Sequence, residues 1–279
     1  MKKRKKIISQ ELPPIKSDET YILSFSGGKD STAMLIYLLK EKGLRPYVVF
    51  CDTSNETQDT YQYIDYVSDL IESWGFPPII RLKGEYTFLS LAKYKKRFPS
   101  IKARFCTEIL KILPQMRWIE EQGLENPIIV SGIRREESFA RHKRQEWEFS
   151  SRVYGQRLWN PIIEWSAKEI FDIHKKYGVE INPMYRLGFK RVGCFPCVNI
   201  GRYELILLDN FYQERVAEIA RQEKELESTY FHPRRPGKIW GIYDHILWAK
   251  RSTPNLTQLK LFPDEEEKFC AYAGLGVCE

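Results

Sequence analysis

The stretch "SFSGGKDSTAML", residues 24–35, decides how this chain is read. Before it, Tyr21 to Phe25 make an apolar, aromatic run of strand length. After it, Ala33, Met34, Leu35, Leu38 and Leu39 recur at helical spacing. The stretch is therefore a strand-to-helix turn. The first N–H groups of a helix lack backbone acceptors, and the helix dipole favours an anion at that end. Gly27 and Gly28 let the main chain approach a ligand, Lys29 brings a cation, and Ser26, Ser31 and Thr32 bring hydroxyls. Together they point to a bound phosphate. A Walker A loop is excluded, because Asp30 and Leu23 stand where that pattern needs Ser or Thr and a further Gly. The other reading is a plain glycine turn capped by Ser or Asp.

Outward from this turn, "RPYVVFCDT" reads as a second strand ending at Asp52, and "TYQYIDYVSDLIESWG" as a helix closed by Gly75. "PPIIRLKG" is a third strand, and "ILKILPQMRWIEEQG" a helix that Pro114 interrupts. "NPIIVSGIRREES" is a further strand running into an arginine-rich loop. In "SAKEIFDIHKKYG", Ser166 stands as N-cap, Glu169 at the capping-box position and Gly178 at the end. Strands alternating with helices predict an α/β, Rossmann-like parallel sheet with helices on both faces. Ligands of such sheets sit beyond the carboxyl ends of the strands. Ser26, Asp52 and the loop from Gly132 to Arg141 converge there. Beyond residue 200, "YELILLDNFYQERVAEIARQEKELESTYF" reads as amphipathic helices, followed by a loop-rich tail.

The 279 residues are 43% hydrophobic, enough for a substantial core, and no apolar run approaches the roughly 20 residues that cross a bilayer. The start, "MKKRKKIISQELPP", has no apolar core of a secretory signal, so a cytoplasmic protein without membrane contact is expected. The net charge of +7 suits anionic substrates. Lys2 to Lys6 form either an arm touching nucleic-acid phosphates or a solvated start. His142, His174, His232 and His245 show no metal-ligand spacing and read as surface or packing residues.

With "SFSGGKDS", "GIRREESFAR" and "NPIIEWSAKEIFDIHKKYGVEINPMYRLGFKRVGCFPC" on the page, the chain resembles the phosphoadenosine phosphosulfate (PAPS) reductase family, within the PP-loop adenine-nucleotide alpha hydrolases. The resemblance implies a basic arm over 1–19, a nucleotide-binding domain over 20–200 and a helical, loop-rich extension over 201–279. It places the grip on an adenine nucleotide, ATP or PAPS, on Ser24, Ser26, Gly27, Gly28, Lys29, Asp30 and Ser31, with Asp52 and Gly132 beside it. "DTSNET" is similar to the family's Asp-Thr-Gly stretch, with Ser54 in place of the glycine. Arg134, Arg135 and Arg141 would face anionic groups, which guanidinium forks match bidentately. Lys29 would stabilise charge at the α-phosphate together with Mg2+, for which Asp30 or Asp52 is the candidate ligand; Asp30 alternatively caps the helix. The loop is complete, whereas reductases proper tend to have a degraded one, and "GLGVCE" is only loosely similar to their cysteine-bearing end. A complete loop points toward relatives that split ATP to AMP and pyrophosphate.

Six cysteines outside an oxidising compartment read as thiols, metal ligands or redox groups. Cys194 and Cys197 form "CFPC", and "RFCTEILKILP" resembles the family's cluster-binding segment, with Phe105 where a second cysteine is common. The resemblance implies a [4Fe-4S] cluster on Cys106, Cys194, Cys197 and either Cys278 or Cys270, or alternatively one with three protein ligands and an open iron that could carry sulfide to a substrate. Zinc is the alternative, as are a redox pair and plain buried thiols. Cys51 reads as core. The expected function is sulfur transfer or sulfonucleotide reduction, supplied by a thiol or a cysteine-desulfurase donor, in a monomer or an oligomer. The alternative is a DNA or tRNA sulfur-modification protein that adenylates its acceptor, for which the basic start and "HPRRPGKIWGIYDHILWAKR" speak.

Overall fold

The computed structural model describes residues 19–149, 153, 155–232 and 240–251. Its first half runs β1 (Tyr21–Phe25), α1 (Lys29–Ile36), β2 (Tyr47–Asp52), α2 (Gln58–Ser73), β3 (Ile80–Lys83), α3 (Phe88–Tyr94), α4 (Phe105–Thr107), a π-turn at Glu108–Ile112, α5 (Leu113–Glu121) and β4 (Ile128–Ser131). Its second half runs α6 (Phe139–His142), β5 (Trp147–Phe149), β6 (Arg157–Trp159), α7 (Ala167–Lys176), α8 (Pro183–Arg186), α9 (Arg202–Phe211), α10 (Gln213–Leu226) and α11 (Ile242–Arg251).

The strands form one sheet in the order β3-β2-β1-β4-β6-β5. All neighbours are parallel except β5, which pairs antiparallel with β6 at the edge. The chain builds outward from β1 through β2 and β3, then returns to place β4 on the other side of β1. The carboxyl ends of β1 and β4 therefore flank the point where strand order reverses, the crevice in which such sheets bind ligands.

Alternation along the strands divides the core. Tyr21, Leu23, Phe25, Val48, Phe50, Ile128 and Val130 pack under α1, α2 and α7, with Met34, Ile64, Val67, Ile170 and Ile173 opposite them. Ile22, Val49, Ile129 and Leu158 face the other way, against Ile119, Met116 and Trp118 of α5. Burial on both faces explains why these strands read as near-continuous apolar runs. Each fully buried leucine or isoleucine adds about 1.5–3 kcal/mol.

Ser166 caps α7 through the Glu169 amide, and the Glu169 carboxylate returns to the Ser166 amide, as the spacing predicts. Pro114 does not interrupt its helix. The π-turn before it shifts the register, and the proline falls in the first turn of α5, where its missing N–H costs nothing. Asp30 does not cap α1. Gly28 holds the N-cap position without a side-chain bond, and the Asp30 carboxylate is engaged elsewhere.

Helices α9–α11 share one core with α3. Leu205, Leu208, Ile219, Tyr230 and Ile246 pack with Phe88, Leu91, Phe98, Phe189 and Phe195. No helix among the described residues is long and apolar enough to cross a membrane. Lys2–Lys6, residues 233–239 of the arginine-rich segment, Cys270 and Cys278 lie outside the described residues.

Candidate functional site

The turn after β1 is held from behind by its polar neighbours. Gly27 takes φ +71°, a conformation costly for any side chain, and a Cβ there would stand 3.2 Å from Ile64 of α2. The Gly27 carbonyl accepts from Asn182 Nδ2 at 3.1 Å, and the Lys29 amide donates to the Tyr185 hydroxyl at 3.1 Å. Ser31 Oγ donates to the Gly28 carbonyl at 2.9 Å and lies 3.1 Å from Ser26 Oγ. His174 is buried, with its two ring nitrogens 3.0 and 3.2 Å from the carbonyls of Lys29 and Val179. Burial, outweighing those carbonyls, lowers its pKa. Among the described residues no acceptor lies within hydrogen-bond distance of the Gly27 or Gly28 amides. Buried amides without partners are costly, and successive ones form an anion-binding nest.

Lys29 and Asp30 form an ion pair of 2.6 Å, and Asp30 accepts from Arg134 Nε at 2.6 Å on its other oxygen. The three side chains are 9%, 15% and 5% exposed. Burial opposes ionisation of Asp30, but the charges of Lys29 and Arg134 outweigh it and hold the carboxyl below its ordinary range. Each carboxylate oxygen of Asp30 is thus engaged by one buried cation. Arg134 likewise braces the turn through Asp30 and spends a second nitrogen on Glu136 and the Trp165 carbonyl. Arg135 pairs with Glu164, and Arg141 with Glu137, both nearer the surface. Of the arginine loop only Arg134 joins the turn. Gly132 completes the crevice: a Cβ on it would lie 3.2 Å from Asp30 O and Ser31 Cα, a tight contact with the backbone of α1.

Beside the turn, a cavity of about 220 Å³ is lined by Ser24, Ser26, Cys51, Glu56, Lys111 and Gln115, among others. Ser24 Oγ donates to Gln115 Oε1 at 3.0 Å. Glu56 accepts from Thr53 Oγ1 at 2.8 Å and from the Thr53 and Asn55 amides. Asp52 accepts from the Ser54 amide at 2.8 Å and from Tyr61 OH at 2.7 Å, with Lys83 3.4 Å away. Ser54, which stands where the family has glycine, takes φ +55°.

A second cavity, of about 140 Å³, is lined by Cys106, Cys194 and Cys197 together with Arg104, Arg191 and Lys111. Lys111 and Gly193 line both cavities and form their common wall. The Lys111 pKa is raised, by the charge Cys194 would carry as thiolate and by Glu56, which outweigh its burial. Burial pushes the Cys194 thiol up to about 11, Lys111 opposing it, and raises Cys106 as well. Cys194 Sγ lies 3.2 Å from Thr53 Oγ1 and 3.7 Å from Glu56 Oε1. Cys51 donates to the Lys111 carbonyl at 3.2 Å, away from the other thiols. Lys111 and Glu56 escaped the sequence reading. The one signal for Lys111 was its place five residues after Cys106 in a helical run.

Among the described residues no three His, Cys, Asp or Glu side chains gather around one point as a single metal ion requires. A zinc ion, with donors about 2.0–2.3 Å away, would need a further ligand from outside the described residues, just as a cluster would. Iron-sulfur clusters take separate cysteines at separate irons. The three thiols around one cavity meet that demand in kind and fall one short in number.

The phosphoadenosine phosphosulfate reductase domain profile matches residues 20–200. A 37.8 kDa protein of the gpa 5' region of Escherichia phage 186 is 28% identical, over 92% of this chain and 96% of its own length. A protein of Methanocaldococcus jannaschii is 34% identical over 63% of this chain, which spans 35% of that longer relative. The adenosine 5'-phosphosulfate reductase of Bacillus mycoides is 28% identical over 59% of this chain and 67% of its own. Among solved structures, PAPS reductase of Candida auris superposes with a TM-score of 0.48 and 18% identity over 64% of this chain and 82% of its own. By the match over 20–200, the chain belongs to the phosphoadenosine phosphosulfate reductase domain family.

Proposed function

We propose that this chain is an enzyme that binds an adenine nucleotide at the Ser24–Ser31 turn and carries out sulfur chemistry at the Cys106, Cys194 and Cys197 cavity. The observation that supports this reading is the wall of Lys111 and Gly193 shared by the two cavities; a nucleotide held in the first would have its reacting end beside the thiols. The free amides of Gly27 and Gly28 would bind phosphate oxygens, and the ion-paired Lys29, Asp30 and Arg134 keep those amides aimed. Lys111 would stabilise negative charge that develops between the cavities. Mg2+ would ride on the nucleotide phosphates. A cluster bound by Cys106, Cys194 and Cys197, with a fourth ligand from Cys278 or Cys270, would supply sulfide or electrons.

The complete turn favours ATP over PAPS. With ATP, an acceptor oxygen attacks the α-phosphorus and pyrophosphate leaves; a sulfur nucleophile then displaces AMP from the adenylated acceptor. With PAPS, a thiolate attacks the sulfonate sulfur and adenosine 3',5'-bisphosphate leaves. Anaerobically purified protein incubated separately with ATP and with PAPS distinguishes them: pyrophosphate release supports the first, and sulfite after added thiol supports the second. Neither product, from protein shown to be folded and supplied with RNA and DNA strands as acceptors in the ATP arm, would refute the enzyme reading. Iron and acid-labile sulfide assays on the same preparation test the cluster.

A further inference from the structure

Charge is distributed unevenly along this chain, and the pattern follows the cysteines. Residues 86–107, which contain Cys106, hold Lys93, Lys95, Lys96, Arg97, Lys102 and Arg104 and no Asp or Glu. Residues 181–203, which contain Cys194 and Cys197, hold Arg186, Lys190, Arg191 and Arg202, again without an acid. These ten cations exceed the whole chain's net charge of +7; the remaining 34 lysines and arginines are outnumbered by 37 acids.

The fold brings both segments to one mouth. Arg104 and Arg191 line the cysteine cavity, and Lys95, Lys96, Arg97, Lys102 and Lys190 are exposed on the same two segments. Lys93 pairs with Glu225 and Arg186 with Glu180, but none of those seven makes an ion pair with a described carboxylate. Unpaired like charges repel one another, and a polyanion relieves that repulsion while releasing its own counterions. Two apolar side chains stand among them: Tyr94, 64% exposed with its ring 5.3 Å from that of Tyr86, and Ile101, 68% exposed. The cavity's 140 Å³ is well below the roughly 300–1,000 Å³ of a pocket that swallows a whole ligand. It admits the reacting end of something held outside it. Seven cations also exceed what one nucleotide's phosphates can use.

We infer that this rim docks a single-stranded stretch of nucleic acid, with its phosphates on Lys95, Lys96, Lys102 and Lys190, a base against Tyr94 and one unstacked nucleotide presented to the cysteine cavity. The inference rests on the proposed nucleotide and sulfur reading and names the acceptor. A single strand fits better than a duplex, because a base must leave its stack to enter a cavity and an exposed ring offers a stacking surface.

The test is fluorescence anisotropy with labelled 20-nucleotide RNA and DNA strands, each at 50 and 200 mM salt. If four phosphates are neutralised, affinity falls about 50-fold over that range for a single strand. Replacing Lys95, Lys96 and Lys102 together by alanine reduces the fall to about 3-fold and weakens binding at 50 mM salt. Replacing Lys40, Lys42 and Lys175 removes the same charge elsewhere on the exposed surface and leaves the salt dependence as in the parent. Tighter binding of RNA or of DNA identifies the source, and either supports the inference. It is overturned by no binding at 50 mM salt, by equal losses in both triple variants, or by binding only to anionic lipid vesicles. ATP binding by the same protein separates the two claims. ATP bound without oligonucleotide refutes only the docking surface, and oligonucleotide bound without ATP refutes only the nucleotide site.

Discussion

Asp30→Asn is the substitution whose consequence the structure fixes most closely. The Asp30 carboxylate stands 2.6 Å from Lys29 Nζ and 2.6 Å from Arg134 Nε, and all three side chains are at most 15% exposed. Asparagine keeps the shape and removes the negative charge between the two buried cations, leaving Lys29 without a carboxylate partner and Arg134 with only the exposed Glu136. Breaking a buried pair in this way costs about 3–5 kcal/mol, mostly from the uncompensated charge left behind. At roughly 2–4 °C per kcal/mol for a domain of this size, the thermal midpoint at pH 7 should fall by about 6–20 °C. Arg135→Ala is the control. Its pair with Glu164 is 34% and 66% exposed, so its loss should cost under about 1 kcal/mol. Acidity supplies a second readout. The native carboxyl is held below its ordinary value of 3.8, so its contribution is complete above that pH and disappears as pH falls through the lower native value. The parent should therefore lose stability on acidification in a component that the asparagine variant lacks. Thermal unfolding followed by circular dichroism between pH 3 and 7 measures both. An Asp30→Asn midpoint matching that of Arg135→Ala would refute the argument.

Ser54→Gly should raise stability by up to about 1 kcal/mol, since φ +55° strains serine and suits glycine; a lowered midpoint in urea would contradict this. Gly132→Ala should cost about 1–3 kcal/mol and weaken nucleotide retention, because its Cβ meets backbone atoms of Asp30 and Ser31 at 3.2 Å that cannot rotate away. An unchanged midpoint and unchanged ATP affinity would show that β4 gives way. Burial pushes the Cys51 thiol up to about 12, so at pH 8 about one molecule in ten thousand carries the reactive thiolate. Peptide mass spectrometry should find Cys51 alkylated by iodoacetamide only after unfolding.

The sheet's centre was legible because β1, β2 and β4 are buried on both faces and read as unbroken apolar runs between turn residues. Helix α7 was legible to the residue because a capping box is local chemistry. Strand β5 was not. It is a three-residue edge strand, Trp147–Phe149, whose pairing with β6 depends on chain eight or more residues away. The strand-to-helix turn could be read from its residue types, but the engagement of Asp30 could not. Its second partner, Arg134, lies 104 positions away and reaches it only because strand order reverses between β1 and β4. For the same reason Arg135 and Arg141, one and seven residues on, gave no sign that they would turn to Glu164 and Glu137 instead. Lys111 lay hidden in an ordinary amphipathic pattern. Only folding sets it between two cavities.

The region after residue 200, outside the family match, fixes the cysteine turn in place. The Phe195 amide donates to the Asn55 carbonyl at 2.5 Å, Arg215 Nε to the Phe195 carbonyl at 3.1 Å, and Tyr230 OH to the Pro196 carbonyl at 2.8 Å. Arg215 also donates to the Asn55 side chain, whose nitrogen lies 3.4 Å from Tyr230 OH. Asn55 belongs to the same loop as Glu56, which lines the cavity beside the phosphate turn. One network thus ties three parts together: the loop after β2, the turn carrying Cys194 and Cys197, and helix α10 with the segment that follows it. Such a network resists piecemeal displacement, because shifting one member leaves buried donors and acceptors of the others unpaired. A ligand that moves the 52–57 loop must therefore move the cysteine turn or break these bonds. Helices α9–α11, packed against α3 in the same core, supply the rigid side against which that movement is defined.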